Sequence, residues 1–202
     1  MDAELRGEAT ARRDPIEWFR ELFDRAVATG MDDPNAMVLS SVDADGAPSS
    51  RVVLLKAFDA SGFVFYTNTE SRKGREILAN PKVCLNFYWR ELERQVRIRG
   101  QAEPVRPEEA NAYFATRSRT SRLGAWASQQ SRPLASRAEL MERVAHYDDE
   151  SRNVEVPRPP HWSGFRVVPD SIELWAAGEF RLHDRQVFEK RDGEWVVKRL
   201  YP

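Results

Sequence analysis

Arg181-Leu-His183-Asp-Arg185 places two guanidinium groups and an imidazole at alternate positions. In a strand, residues two apart project from one face, so these three groups would crowd together. Cations at that spacing repel one another unless an anion sits among them. Histidine is also the side chain best suited to moving a proton near neutral pH. The triplet therefore points to a functional site that holds an anion and can handle a proton, with an ordinary structural strand as the plainer alternative. Trp175, a few residues upstream, could stack on a planar ring, although filling the core is the simpler role for a lone tryptophan.

A second candidate is Ser71-Arg72-Lys73-Gly74. With Ser71 as a helix N-cap, Arg72 and Lys73 fall in the first turn, where the positive end of the helix dipole disfavours cations. A bound anion reverses that sign, and phosphate is the best fit, with a solvated surface turn that bears a small cost as the plainer alternative. Arg51-Val52-Val53-Leu54-Leu55-Lys56 puts a cation on each face of an apolar strand. Lys56 shares its face with Val52 and Leu54, and Arg51 shares the other with Val53 and Leu55. Taken alone, these read as strand-end cations snorkelling to solvent. Gln95, Arg97, Arg99 and Gln101 alternate with Val96 and Ile98, the pattern of a solvated sheet face.

Other chemistries lack their motifs. The three histidines, at 146, 161 and 183, have no metal-ligand spacing, so no metal is expected. There is no G-x-S-x-G elbow, no G-x-G-x-x-G and no P-loop. A single cysteine, Cys84, excludes an intramolecular disulfide. The net charge of -1 argues against a nucleic-acid partner. No run is long and apolar enough for a membrane span, and residues 1–14 do not resemble a secretory signal, so a soluble cytoplasmic protein is expected. Scattered phosphate-binding cations without a built-in nucleophile favour a borrowed cofactor.

The elements that must position these residues follow from periodicity and punctuation. Residues 1–13, charged and Ala-rich, are expected to form a flexible arm, and 14–202 a single domain. Asp14-Pro15-Ile16-Glu17 predicts a helix start with a capping box, and Ile16, Phe19, Phe23 and Ala26 continue at helical spacing towards Gly30. Strands are predicted at 36–42, 49–57, 63–67, 83–89 and 94–102, with turns at 43–46 and 59–62. Short helices are predicted at 72–79, from Pro107 to about Phe114, and after Ser136 with Glu139 closing its capping box. Residues 118–135 carry too few periodic signals to assign, and 150–160, with three prolines, read as a loop. Strands at 163–168 and 171–176, then a hairpin pairing 180–189 with 194–200, close the chain. Short hairpins with inserted helices predict an antiparallel barrel, mainly β.

Seven ordered stretches resemble the pyridoxine/pyridoxamine 5'-phosphate oxidase family. They are Pro34-Asn-Ala-Met37, Arg51 to Lys56, Gly62 to Asn68, Ser71 to Gly74, Arg94-Gln-Val-Arg97, Gly124 to Ser128 with Gln130-Ser131, and Arg181 to Arg185, before a terminal Arg-Leu-Tyr-Pro. The resemblance implies an FMN-binding split β-barrel and a homodimer with FMN at the interface. It implies oxidation of pyridoxine or pyridoxamine 5'-phosphate to pyridoxal 5'-phosphate, with hydride passing from the substrate's 4' carbon to flavin N5 and O2 becoming H2O2. Flavin contacts are implied for Arg51, Val52, Val53, Leu54, Leu55, Lys56, Tyr66, Thr67, Arg72, Lys73, Gln95, Gln130, Ser131, Trp175 and Arg185. Substrate contacts are implied for Lys56, Tyr113, Arg117, Ser121, Arg181 and His183, the last two flanking the reacting carbon. Ala176 and Ser118 depart from the family's usual Gln and Pro. Both leave the flavin oxidase reading intact and bear on the substrate, where the alternative is an oxidase of another heteroaromatic substrate of the phenazine-biosynthesis type. The alternative from another class is a non-catalytic flavin-binding barrel, against which the intact Arg181 and His183 argue.

Overall fold

The computed structural model describes residues 14–202, so the expected arm at 1–13 lies outside the described residues. Helix α1 spans Pro15–Ala28 and starts where expected, the Asp14 carboxylate accepting the Ile16 amide hydrogen at 2.9 Å. Glu17 instead approaches Arg20, one turn on, at 3.7 Å.

Nine strands form one antiparallel sheet: β1 (Ala36–Val42), β2 (Pro48–Leu54), β3 (Ala57–Asp59), β4 (Gly62–Asn68), β5 (Lys82–Trp89), β6 (Arg94–Pro104), β7 (Trp162–Ala176), β8 (Asp184–Arg191) and β9 (Glu194–Arg199). The spatial order is β2-β1-β5-β6-β7-β4-β3, with β8 on β7 and β9 on β8. The helices are inserted between strands: α2 (Arg72–Ala79), α3 (Pro107–Ala115), α4 (Arg119–Ala127) and α5 (Arg137–Glu150). The result is a curled, mainly β half-barrel, as the hairpin pattern predicted.

α1 closes the concave side. The Phe19 ring meets Phe58 and Phe63 edge-on at 4.9 Å and Phe87 at 5.1 Å, and Trp18, Leu22 and Ala26 are buried beside it. The edge-to-face geometry suits the ring quadrupoles and adds to the large apolar area each ring removes from water.

Three differences from the sequence reading matter for the site. The strand expected at 49–57 breaks after Leu54, leaving Leu55 and Lys56 in a link between β2 and β3. The two strands expected at 163–168 and 171–176 are one strand, β7. A register shift between Arg99 and Gly100 absorbs Asp170, with Pro169 still paired opposite Gly100, so the ladder does not end. The first strand of the final hairpin starts at Asp184 rather than 180, because residues 179–181 form a 3₁₀ turn with Phe180 and Arg181 in the left-handed region (φ 55° and 65°). Arg181, His183 and Arg185 therefore do not share one strand face.

Candidate active site

β2, β4, α2, α3 and α4 enclose a cleft of about 700 Å³. It brings together Val52, Val53, Leu54, Lys56, Tyr66, Thr67, Lys73, Tyr113, Arg117, Ser121 and Gln130, eleven of the residues singled out in the sequence. Each has a local reason to be there. Ser71 caps α2 by accepting the Gly74 amide hydrogen at 3.3 Å and donates its own hydroxyl to the Asn68 carbonyl at 2.6 Å. This aims Lys73 into the cleft, where its ammonium donates to Gln130 Oε1 at 2.8 Å and Thr67 Oγ1 at 3.2 Å. Burial, and then the nearby Arg51 charge, push the Lys73 pKa below its ordinary value, with Glu76 opposing. Ser131, beside Gln130, sits in the left-handed region at φ 72°.

At the other end, Tyr66, Tyr113 and Trp162 form a near-parallel stack, Tyr66 lying 4.1 Å from Tyr113 and 5.3 Å from Trp162. The Arg117 guanidinium lies 4.9 Å from the Trp162 ring centre, and its Nη1 is buried without a hydrogen-bond partner. Burial lowers the Arg117 pKa, with Tyr113 opposing. Three cations, Lys56, Lys73 and Arg117, thus line a cleft with no carboxylate among its lining residues. A buried guanidinium nitrogen left unsatisfied carries a desolvation cost that a bound anion would relieve.

α4 forms one wall of this cleft, in the stretch the sequence left unassigned. Ser118 caps it, accepting the Ser121 amide hydrogen at 3.2 Å. Arg119 pairs with Asp148 of α5 at 2.7 Å, the Trp126 indole donates to the Pro157 carbonyl at 2.7 Å, and His161 meets the Ala125 carbonyl at 3.0 Å.

Arg51 and Arg72 are committed elsewhere. Glu76 of α2 is buried and accepts from Ser41 and Ser49 at 2.6 Å, Arg51 at 3.0 Å and Arg72 at 2.8 Å. Arg72 also approaches Asp43 at 3.9 Å. Burial alone would raise the Glu76 pKa, but these hydrogen bonds prevail and hold the carboxyl down at about 2, against an ordinary 4.5. A depressed folded-state pKa stabilises the fold above the unfolded value, and that stability is lost as pH falls from 4.5 towards 2. Glu76→Gln, which leaves two arginines facing an uncharged amide, is expected to cost about 3 kcal/mol near pH 7, or roughly 6–12 °C in Tm. It is also expected to flatten stability between pH 4.5 and 2. Thermal unfolding of both proteins across that range decides the point; equal slopes would mean that Glu76 is not the titrating group.

Of the remaining candidates, Leu55 is buried in the core rather than at the cleft, and Gln95, Trp175 and Arg185 lie on the outer face of the sheet. Gln95, Trp175 and Arg185 are register neighbours across β6, β7 and β8. Glu173, buried on that face, accepts from Arg185 at 2.8 Å and from Arg97. Arg185 also donates to the Tyr201 carbonyl at 3.0 Å. The pairing of Arg97 with a buried carboxylate corrects the expectation of a plain solvated face. His183 is fixed by a hydrogen bond from the Gly178 amide to its Nδ1 at 3.1 Å and packs on Trp175, ring centres 4.7 Å apart. A Cβ at Gly178 would stand 2.0 Å from the Leu182 carbonyl oxygen, so the turn closes only with glycine. This loop presents Phe180 (89% exposed) and Leu182 (70%), and Tyr201, whose carbonyl Arg185 holds, is 94% exposed. None of these outer-face residues lines the cleft of the same chain.

Comparison with known proteins gives this arrangement its context. The family model described as "Pyridoxamine 5'-phosphate oxidase" matches residues 23–148, and that described as "Pyridoxine 5'-phosphate oxidase C-terminal dimerisation region" matches 162–202. The chain belongs to the pyridoxamine 5'-phosphate oxidase family. It is 59% identical over 189 residues to the pyridoxine/pyridoxamine 5'-phosphate oxidase of Myxococcus xanthus (strain DK1622), covering 94% of this chain and 92% of that one. It is 55% identical to the protein of the same name from Caulobacter vibrioides (strain NA1000 / CB15N), covering 95% and 86%. The structure of PhzG from Burkholderia lata 383 in complex with tetrahydrophenazine-1-carboxylic acid superposes with a TM-score of 0.92 at 32% identity, covering 100% of this chain and 98% of that one. A pyridoxamine 5'-phosphate oxidase-related, FMN binding protein from Nostoc punctiforme PCC 73102 shares the fold, with a TM-score of 0.74 at 17% identity, covering 91% and 97%.

The two departures from the pyridoxamine 5'-phosphate oxidase family pattern now have places. Ala176 is buried among the core residues, on the opposite face of β7 from Trp175, so the missing amide is not on the outer face with the tryptophan. Ser118 supplies the α4 cap. Asn68, Gly124, Ala125 and Ser128 fell within stretches that carried the resemblance but were given no role, and the cleft residue Trp162 was not singled out at all.

Proposed function

We propose that this chain is an FMN-dependent oxidase converting pyridoxine 5'-phosphate or pyridoxamine 5'-phosphate to pyridoxal 5'-phosphate, with O2 reduced to H2O2. The observation that carries the reading is the cleft with three cations and no carboxylate, in a chain 59% identical to an enzyme of that name. The orphaned Arg117 Nη1 and the volume of about 700 Å³ fit two phosphate-bearing ligands, one of them a flavin. Bound FMN supplies the hydride acceptor that the protein's own side chains lack.

The residues divide by place. Lys73, with Thr67, Gln130 and Ser131, holds the flavin phosphate end, and Arg51 and Arg72 stand behind it, fixed on Glu76. Tyr66 and the end of β2 at Val52, Val53 and Leu54 border the ring, whereas Leu55, implied as a flavin contact, is buried in the core beyond the strand's end. Lys56 and Arg117 hold the substrate phosphate, and Tyr113 and Ser121 border its ring. Gln95, Trp175, Arg181, His183 and Arg185 reach the cleft of a second copy, which puts each FMN at the homodimer interface. Their separation from the cleft within one chain, and the exposed Phe180, Leu182, Val52 and Tyr88, support this arrangement. Arg181 and His183 then sit on the substrate side, binding its polar edge and holding a proton beside the reacting carbon. The work is cytoplasmic, where the lone Cys84 stays reduced.

The reading is tested by adding pyridoxamine 5'-phosphate to FMN-loaded protein and measuring peroxide against pyridoxal 5'-phosphate formed. Equimolar release is expected. Peroxide only from a reduced phenazine precursor would move the enzyme to the phenazine-type alternative suggested by the 0.92 TM-score. Bound FMN with no turnover of either substrate would leave a flavin-binding protein.

A further inference from the structure

Nine glycines lie among the described residues, and eight have an evident reason to be glycine. Gly30, Gly46, Gly62 and Gly193 take φ between +75° and +132°, where side chains are strained. At Gly74, Gly100, Gly164 and Gly178 a Cβ would stand 2.0–2.6 Å from another atom. Gly124 has neither reason. It lies inside α4, and a Cβ built there meets no protein atom within 4 Å. Glycine in a helix interior costs stability relative to alanine, and nothing in the chain's own packing returns that cost here.

What Gly124 does have is a place in the cleft wall, beside Ala125 and one turn beyond Ser121. Ser121 shares its helix face and Tyr113 and Arg117 line the same cleft, whereas Gln130, held by Lys73, follows the C-terminal end of α4. We propose that Gly124 is a specificity-determining residue: its missing side chain keeps open the depth in which the flat ring of the substrate lies, and α4 gives up stability to keep it open. This rests on the oxidase reading above and deepens it.

The proposal predicts effects of opposite sign from one methyl group. In the FMN-loaded dimer, Gly124→Ala is expected to raise the KM for pyridoxamine 5'-phosphate about tenfold, as overpacking a fitted site does, and Gly124→Val to raise it further. The Kd for pyridoxal 5'-phosphate, read from its absorbance on the loaded protein, rises in parallel, while the Kd for FMN stays within about twofold. The FMN-free Gly124→Ala protein melts higher by about 1–4 °C. Unchanged KM and product affinity in Gly124→Val would overturn the proposal. Loss of FMN would assign the space to the flavin, and dissociation of the dimer would assign it to the partner; either overturns it too. Wild-type protein that turns over no pyridoxamine 5'-phosphate would remove the oxidase reading, whereas normal wild-type turnover with an unaltered Gly124→Val removes only the role of Gly124.

Discussion

Replacing Lys56 and Arg117 together by alanine is expected to lower kcat/KM for a 5'-phosphorylated substrate by about a thousandfold while FMN stays bound. Each change removes a charge-assisted hydrogen bond to phosphate, worth about 1.5–3 kcal/mol, or roughly ten- to a hundredfold singly. The two groups grip one anion, so their effects couple and fall short of the full product. The geometry favours a large effect. Arg117 Nη1 has no hydrogen-bond partner among the described residues, and no carboxylate is among the residues that line the cleft. Arg117→Lys separates charge from shape. It keeps the cation but loses the planar group that lies over Trp162 and Phe114, so an intermediate loss is expected. Steady-state kinetics with flavin content measured alongside provides the check. A double variant that loses FMN and otherwise turns over normally would show that these cations serve the flavin.

Two inactive chains are expected to restore one another. A Lys56→Ala/Arg117→Ala chain has a damaged cleft and an intact Arg181–Arg185 segment, and an Arg181→Ala/His183→Ala chain has the reverse. If each site combines the cleft of one copy with the outer face of the other, a mixed dimer holds one site with both lesions and one with none. Random re-association of equal amounts makes half the dimers mixed, so about a quarter of all sites, and about a quarter of wild-type activity, return. Homodimers of either variant contribute almost nothing. Activity that stays at the sum of the two parents after refolding the mixture would place both residue sets in the same chain's site.

How much of this was legible in the sequence depended on how local the cause was. α2 and the turn at 43–46 were readable because Ser71, Gly74 and Gly46 act within four residues of themselves. α4 was not, since its buried side is only Leu123 and Ala127 and the helix is held by Asp148, Pro157 and His161, far along the chain. The Arg-x-His-x-Arg alternation looked like a strand, but Gly178 lets the chain fold back on itself and Arg181 turn left-handed, which alternation cannot report. Glu76 and Glu173 were invisible for another reason. A glutamate four residues after an arginine, or alternating with apolar strand residues, reads as a solvated surface group. Only the assembled sheet reveals that both are buried among cations. The family motifs pointed to Lys56, Lys73 and Arg117, which line one cleft, and equally to Arg51 and Arg72, which Glu76 holds outside it.

The place of β7 in the sheet sets the order of events while the chain is being made. β7 is the partner of β6, β4 and β8, yet it starts at residue 162, about 100 residues after β4 begins at Gly62. At roughly 5–20 residues per second, β4 leaves the ribosome roughly 5–20 s before the strand it must pair with. During that wait its only ladder neighbour is the three-residue β3, so the Phe63-Val64-Phe65 run has one edge unpaired. α1, β1, β2, β5 and β6 can already assemble, but the half-barrel cannot be completed before residue 176. A message cut or stalled short of that point yields a chain with two open strand edges, on β4 and β6, which makes it a candidate for chaperone capture or aggregation rather than a partly working enzyme.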